Sequence, residues 1–283
     1  ILLEPPRCGG GISRQIDGAG KKRCPRDENC GMMVENEKER DSVHPTRRLL
    51  VPGLMNCRDL GGYAAAGGVT RWGVFYRSEA PCGLPEEGIA YFRALGLGES
   101  IDLRGEAEIA WRPSALAEVF PYRRISLSGG AETFEKKNLP EGPFSWDKVY
   151  IKRAREHRDW VRDVVTALAE AEGSVLFHCT TGKDRTGIIA CCLLGAVGVS
   201  REDIAADYCL SQVYLQDMFE GMRTGRITIR KEPGNFEDYV FQTPFQAMLD
   251  FYDFFTREFG GIVPYLRDIG VTEKSLAKLK ARF

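Results

Sequence analysis

The sequence has no hydrophobic run long enough to cross a membrane. Its longest apolar run, 188–199, has 12 residues, two of them glycines, whereas a spanning helix needs about 20 apolar residues. The start, Ile1-Leu-Leu followed by Glu4-Pro-Pro, lacks the charged and apolar regions of a secretory signal. We therefore expect neither a transmembrane segment nor a standard signal peptide, and export by another route stays open.

The sequence also has no excess of charge of either sign. It contains 39 basic and 40 acidic residues, for a net charge of −1. A nucleic-acid-binding or membrane-surface protein usually carries a basic excess that attracts its anionic partner. We therefore expect no nucleic-acid partner, and the sequence leaves the oligomeric state open.

Closely spaced cysteine pairs are absent from the first part of the chain. The sequence has nine cysteines, an odd number, which favours a reducing compartment such as the cytoplasm over a disulfide framework. Four potential metal ligands lie near the start: Cys8, Cys24, Cys30 and His44. Their spacing is not that of a paired zinc motif. We expect no bound metal, and a cluster of these four residues is the weaker alternative.

What is present suits one sizeable α/β domain: 283 residues, 43% of them hydrophobic and 28% charged. Residues 1–45 are rich in glycine and charge and have no apolar periodicity, so we predict a flexible N-terminal segment. The domain is predicted to extend over residues 46–283. Residues 128–150 contain several glycines and prolines together with aromatic side chains, which is typical of an active-site lid or of a surface loop.

Strand patterns alternate with helix patterns through the middle of the chain. We predict a central, mostly parallel sheet flanked by helices, because alternating elements need crossover connections. The predicted strands are 74–78, 100–104, 119–126 and 175–177, with a further strand and turn within 49–63. The predicted helices are 85–95, 150–171, one from residue 188 onward, 200–210, 246–258, 263–268 and 272–282.

The most informative stretch joins the apolar strand 175–177 to the apolar helix that follows. The intervening sequence, residues 178–187, is His-Cys-Thr-Thr-Gly-Lys-Asp-Arg-Thr-Gly. A strand–loop–helix turn directs successive backbone N–H groups and a helix N-terminus towards one point. We therefore predict an anion site of about the size of a phosphate group.

Each residue type in this loop suits phosphate chemistry. Cys179 lies at the bottom of the predicted cradle, where a thiolate is favoured and can attack phosphorus. Arg185 has a planar fork that binds two phosphoryl oxygens, and Gly182 allows the turn. Thr186 is expected to place its hydroxyl near the Cys179 sulfur. His178 is expected to be buried and to orient the loop through hydrogen bonds.

The loop resembles the H-C-x5-R-[ST] signature of the protein-tyrosine phosphatase superfamily. Its fuller form is similar to that of bacterial atypical phosphatases, which act on phosphotyrosine, phosphoserine/threonine and phosphoinositides. Further segments resemble the same family over residues 49–283: Asn56-Cys-Arg-Asp-Leu-Gly-Gly62, Phe75-Tyr-Arg-Ser78, Ile101-Asp-Leu-Arg104 and 260–270. The resemblance implies a protein-tyrosine-phosphatase-like fold and hydrolysis of a phosphorylated protein or phosphoinositide.

The resemblance also implies a mechanism and a residue set. A phosphocysteine would form on Cys179, and no cofactor or metal would be needed. The implied phosphate-binding residues are Thr180, Thr181, Gly182, Lys183, Arg185 and Thr186. The family pattern places Arg58 and Asp59 beside the phosphate, and a salt bridge that holds the bend explains them equally well. Lys183 resembles an extra cation of lipid phosphatases, which would favour phosphoinositides, unless it only holds Asp184.

Two carboxylates are candidates for the general acid. Asp184 directly precedes Arg185, as in myotubularin-like and Sac-like lipid phosphatases. Asp102 ends a predicted parallel strand, and ligands bind beyond the carboxyl ends of such strands. We favour Asp184 over Asp102. Two other classes of function remain as alternatives: a phosphate-binding pseudophosphatase or adaptor, and a sulfurtransferase or arsenate reductase with a similar cysteine loop. The sequence does not name the physiological substrate.

Overall fold

A sheet with β7 (Ser174–His178) at its centre organises the fold. The computed structural model describes residues 46–127, 143–229 and 237–283, all of them within one compact unit. In these ranges the sheet has five strands in the order β1-β4-β7-β5-β6. The other strands are β1 (Arg58–Asp59), β4 (Phe75–Ser78), β5 (Leu97–Asp102) and β6 (Tyr122–Arg124). Only β1 pairs antiparallel, with β4, so the prediction of a mostly parallel sheet is confirmed.

Helices flank this sheet, and a small hairpin lies apart from it. The hairpin pairs β2 (Ala64–Ala65) with β3 (Gly68–Val69). The first helices are α1 (Glu86–Ala94), α2 (Glu106–Trp111), α3 (Trp146–Glu156), α4 (Arg158–Glu170) and α5 (Asp184–Ala196). The later ones are α6 (Arg201–Tyr214), α7 (Gln216–Arg223), a 3-10 turn (Asp238–Phe241), α8 (Phe245–Phe259), α9 (Ile262–Asp268) and α10 (Glu273–Arg282).

The carboxyl ends of the three inner strands meet just before Cys179. His178 pairs in register with Ser78 of β4 on one side and with Asp102 of β5 on the other. All five residues of β7 are buried, which is why the strand is an apolar run without polar alternation. A loop that follows such a strand opens at the edge of the sheet where ligands bind.

Helix α5 is buried on all sides. Every residue of α5 except Gly195 is buried, and α4, α6, α9 and α10 pack around it. Because no face of α5 is exposed to solvent, its sequence is apolar all round and lacks the polar face of an amphipathic helix. The N-terminus of α5 therefore points from the core towards the sheet edge. Ser200 caps the helix that follows, α6, because its Oγ accepts the Asp203 N–H at 3.1 Å.

Several predicted elements differ from the structure. The predicted helix 150–171 is two helices, α3 and α4, because the backbone turns at His157 (φ −119°, ψ 51°). Of the predicted lid 128–150, residues 128–142 lie outside the described residues. Residues 146–150 are the first turns of α3, where Trp146 and Tyr150 are buried in the core, so the lid prediction is wrong for them. The predicted strand 119–126 is limited to β6.

In the ranges that the structure describes, no helix is long and apolar enough to cross a membrane.

Candidate active site

Cys179 opens a loop that is pressed against the end of β4. The side chain is buried, with 2% of its surface exposed, and the loop leads directly into α5 at Asp184. Gly182 has φ +69°, and a Cβ there would lie 2.3 Å from the backbone carbonyl of Ser78. Only glycine combines this backbone angle with so close an approach.

The scaffold holds the carbonyl groups of this loop. Four consecutive carbonyls accept hydrogen bonds: Thr180 from Ala80 N–H (3.2 Å), Thr181 from Asn56 Nδ2 (3.0 Å), Gly182 from Arg77 Nη2 (2.9 Å) and Lys183 from Gly187 N–H (2.8 Å). In a trans peptide the N–H points opposite to the C=O. The N–H groups of residues 181–184 therefore face away from these donors, and no described residue accepts a hydrogen bond from them. They form a nest that suits an anion.

The guanidinium of Arg185 is fixed by a carboxylate that the sequence analysis missed. Glu108 of α2 binds it with both oxygens, Oε2 to Nη1 and Oε1 to Nη2, each at 2.7 Å. The Leu103 carbonyl accepts from Nη1 at 3.2 Å and Thr180 Oγ1 accepts from Nη2 at 3.1 Å. Burial alone would raise the pKa of Glu108, but its bonds to Arg185 lower that pKa overall. The fork is thus held in one orientation beside Cys179.

A buried cysteine, an N–H nest and a fixed arginine thus lie together at one sheet edge. The model of the tyrosine phosphatase family matches residues 49–283. The chain belongs to this family. It is therefore a phosphatase enzyme, and the resemblance stated from the signature loop is confirmed.

Two curated relatives carry phosphatase names, and one solved structure is similar over part of the chain. A tyrosine-protein phosphatase of Nostoc commune is 34% identical over 196 residues, which is 67% of each chain. The triple specificity protein phosphatase PtpB of Mycobacterium tuberculosis is 24% identical over 271 residues, covering 81% of this chain and 96% of that protein. A crystal structure of TpbA from P. aeruginosa is 20% identical, with a TM-score of 0.32, over 55% of this chain and 90% of that one.

Lys183 of the phosphatase loop is bound to neighbouring elements. Its ammonium donates to the carbonyls of Val240 (2.6 Å) and Gln242 (3.0 Å) and lies 4.0 Å from the centre of the Trp146 ring. It also lies 3.6 Å from Asp184 Oδ1. Burial lowers its pKa. Lys183 thus ties the loop to α3 and to the 3-10 turn, and a second cation beside the phosphate stays a prediction.

The two candidate acids occupy different environments. Asp184 lies in the first turn of α5 with 10% of its side chain exposed, and its Oδ1 accepts the Tyr150 hydroxyl at 2.6 Å. Asp102 is fully buried and binds Arg104 and Tyr122, each at 2.7 Å. Burial would raise the pKa of Asp102, but neighbouring His178 and Arg104 outweigh it and hold that pKa well below its usual range. A carboxylate so firmly ionised does not suit proton donation.

His178 and Thr186 are both buried, as expected. Neither ring nitrogen of His178 has a hydrogen-bond partner among the described residues, so the side-chain hydrogen bonds expected of it are not seen there. Burial lowers the pKa of the ring to about 4, and the residue accepts the Leu103 N–H at its backbone carbonyl. The Thr186 hydroxyl also has no hydrogen-bond partner in the described part of the chain, and its place near the Cys179 sulfur stays a prediction.

Arg58 and Asp59 brace the bend in front of the loop. Arg58 binds Asp207 of α6 at 2.9 Å and Asn56 Oδ1 at 2.6 Å. Asp59 accepts the N–H groups of Gly61 and Gly73. Their described partners match the salt-bridge interpretation rather than a place beside the phosphate. The residues that do hold the loop from this side are Asn56 and Arg77.

Proposed function

We propose that this phosphatase hydrolyses phosphomonoesters through a phosphocysteine on Cys179. The observation that supports this proposal most is that Cys179, the N–H nest and Arg185 lie together at the end of β7. Cys179 begins a loop whose next four carbonyls are bound by the scaffold, and Arg185 is fixed by Glu108. Such a site offers the equatorial oxygens of a phosphoryl group the backbone N–H donors of the nest. Because both Nη atoms of Arg185 are bound to Glu108, Leu103 and Thr180, the guanidinium adds its positive charge and its Nε–H.

The proposed reaction has two steps. The Cys179 thiolate forms a bond to phosphorus as the bond to the leaving oxygen breaks, and Asp184 gives that oxygen its proton. Water then attacks the phosphocysteine, Asp184 takes a proton from the water, and phosphate leaves as the thiolate is restored. Asp184 is the better acid than Asp102, because Asp102 is buried in its pair with Arg104.

The family supports phosphotyrosine as the first substrate class. We extend the proposal to phosphoserine/threonine, because one relative is named a triple specificity protein phosphatase. We also extend it to phosphoinositides, because the signature loop resembles that of phosphatases that act on them. The position of Lys183 gives no added support to phosphoinositides, because its ammonium is bound to backbone carbonyls. We place the reaction in a reducing compartment such as the cytoplasm, since a thiolate nucleophile must stay unoxidised.

The test compares Cys179→Ser with Cys209→Ser on p-nitrophenyl phosphate, a phosphotyrosine peptide, a phosphoserine peptide and a soluble phosphoinositide. Cys179→Ser should lose about a hundredfold or more of the turnover and still bind vanadate, because serine is a far weaker nucleophile. Cys209→Ser should keep the wild-type rates, since Cys209 lies outside the loop. Turnover by Cys179→Ser above a hundredth of wild type would refute the mechanism, and the four rates rank the substrate classes.

A further inference from the structure

Two buried tyrosines lie in line behind the proposed acid. The Tyr150 hydroxyl is 2.6 Å from Asp184 Oδ1, and the Tyr208 hydroxyl is 2.7 Å from that of Tyr150. Tyr150 comes from α3 and Tyr208 from α6, and both side chains are buried, with at most 1% exposed. The three groups therefore form a chain of hydrogen bonds that starts in the core and ends at the first turn of α5.

The direction of these hydrogen bonds follows from the single hydrogen that each tyrosine hydroxyl can donate. Tyr150 donates its single hydroxyl hydrogen to Asp184 Oδ1, which can accept it both in the carboxylate and in a carboxylic acid whose proton is on Oδ2. Tyr150 then has only lone pairs left for Tyr208, which must donate in turn. Burial raises the pKa of both phenols well above the usual value. Both tyrosines thus stay protonated throughout the neutral range, and the chain orients a group rather than carrying a proton.

We propose that Tyr150 and Tyr208 are positioning residues that select the oxygen of Asp184 which carries the catalytic proton. This inference rests on the proposed function of Asp184 as the acid. Tyr150 donates to Oδ1, and the Lys183 ammonium lies 3.6 Å from the same oxygen. One hydrogen bond and one nearby positive charge at Oδ1 favour negative charge on that oxygen, and the hydrogen bond holds the carboxyl plane. Oδ2 is left to bear the proton that passes to the leaving group.

The packing around the chain keeps the hydroxyls in place. The Tyr150 ring stacks on Trp146 at 5.6 Å and meets the Tyr208 ring edge-on at 5.9 Å. Tyr208 passes directly over Gly187, where an added Cβ would lie 3.2 Å from its ring. The glycine that ends the signature loop therefore makes room for Tyr208. Rings fixed in this way hold their hydroxyls at one position relative to Asp184.

The experiment measures kcat/KM on two aryl phosphates, one with a strongly acidic phenol as leaving group and one with phenol itself. An acidic phenol departs without protonation, whereas phenol needs the acid. Tyr150→Phe should leave the first rate within about twofold and reduce the second about tenfold or more, since it removes a hydrogen bond to a charged group. Tyr208→Phe should also reduce kcat/KM on phenyl phosphate selectively, by a smaller factor than Tyr150→Phe.

Two further variants distinguish a failure of the positioning role from a failure of the acid assignment. Tyr265→Phe removes another buried hydroxyl, which donates to the Ala154 carbonyl of α3, and it should affect both substrates equally. Asp184→Asn should show the largest leaving-group dependence. An equal loss on both substrates in Tyr150→Phe, while Asp184→Asn remains selective, would overturn the positioning role alone. An absence of selectivity in Asp184→Asn would overturn the acid assignment itself.

Discussion

At the scale of single residues, the site depends on a carboxylate that no pattern in the sequence marks. Glu108 lies 77 positions before Arg185, in a short helix without buried residues. Its other role is visible locally: Oε2 accepts the Gly105 N–H at 2.9 Å, as a glutamate at the third helical position commonly does. One side chain thus caps α2 and fixes Arg185, the arginine proposed to bind phosphate.

Glu108→Gln should reduce kcat/KM on p-nitrophenyl phosphate roughly 10- to 100-fold. The amide offers Arg185 one oxygen instead of two and no negative charge, and hydrogen bonds to charged groups contribute about 1.5–3 kcal/mol. Glu106→Gln on the same helix is the matched control, because that side chain is exposed and lies 3.9 Å from Arg124. Similar rates for the two variants would show that Arg185 does not need Glu108.

At the scale of elements, helix α6 is tied to the sheet and to the loop through one buried carboxylate. Asp207 binds Arg58 at 2.9 Å, Arg77 at 2.5 Å and the Tyr63 hydroxyl at 3.0 Å. Arg77 then reaches the Gly182 carbonyl. Burial would raise the pKa of Asp207, but Arg58 and Arg77 outweigh it and lower that pKa to about 2. The pair of arginines is thus oriented towards the loop by α6.

Asp207→Asn should destabilise the fold by about 3–5 kcal/mol, because two guanidinium groups stay buried without their counter-charge. The lowered pKa makes the contribution of Asp207 fully present above about pH 4, the usual range of an unfolded carboxyl, and it is lost as the pH falls towards 2. The difference in the free energy of unfolding between wild type and Asp207→Asn should therefore shrink by about 2 kcal/mol between about pH 4 and pH 2.

Urea unfolding followed by tryptophan fluorescence, at neutral pH and at stepwise lower pH, measures this difference. Asp163→Asn is the control, since its carboxylate is half exposed and pairs only with neighbouring Arg162 among the described residues. It should shift the free energy of unfolding little at any pH. A wild-type advantage over Asp207→Asn that stays constant down to about pH 2 would mean that Asp207 is not the titrating anchor.

At the scale of the whole molecule, the described elements lie in one compact unit within residues 44–283. The family model begins at residue 49. The described groups that hold the loop lie between Asn56 and Gln242. We therefore expect the chemistry to need only this part of the chain.

A chain that starts at His44 should hydrolyse p-nitrophenyl phosphate within about twofold of the intact protein and unfold at a similar temperature, since no described contact depends on the removed segment. Turnover, the thermal midpoint and zinc content of both chains provide the measurement. Zinc bound to the intact chain, together with loss of activity on truncation, would instead favour the metal cluster of Cys8, Cys24, Cys30 and His44.

The sequence alone marked Cys179, Arg185 and the loop between them. Their spacing is local: strand, turn and helix follow one another within about 20 residues, and the apolar runs and the glycine give each its own signal. The mostly parallel sheet followed from the alternation of elements. The family resemblance rested on this stretch and on further segments over residues 49–283.

Only the tertiary structure decided which partner each buried charge has. Lys183 binds the carbonyls of a turn 57 and 59 residues away, and Arg185 binds a carboxylate 77 residues away. The sequence favoured Asp184 over Asp102 as the acid, but only the structure shows that Asp102 is buried in a pair with Arg104. A long charged side chain can turn in several directions at little cost, and the burial of its end selects the direction that provides a partner. That choice depends on which elements pack together, which local sequence spacing does not encode.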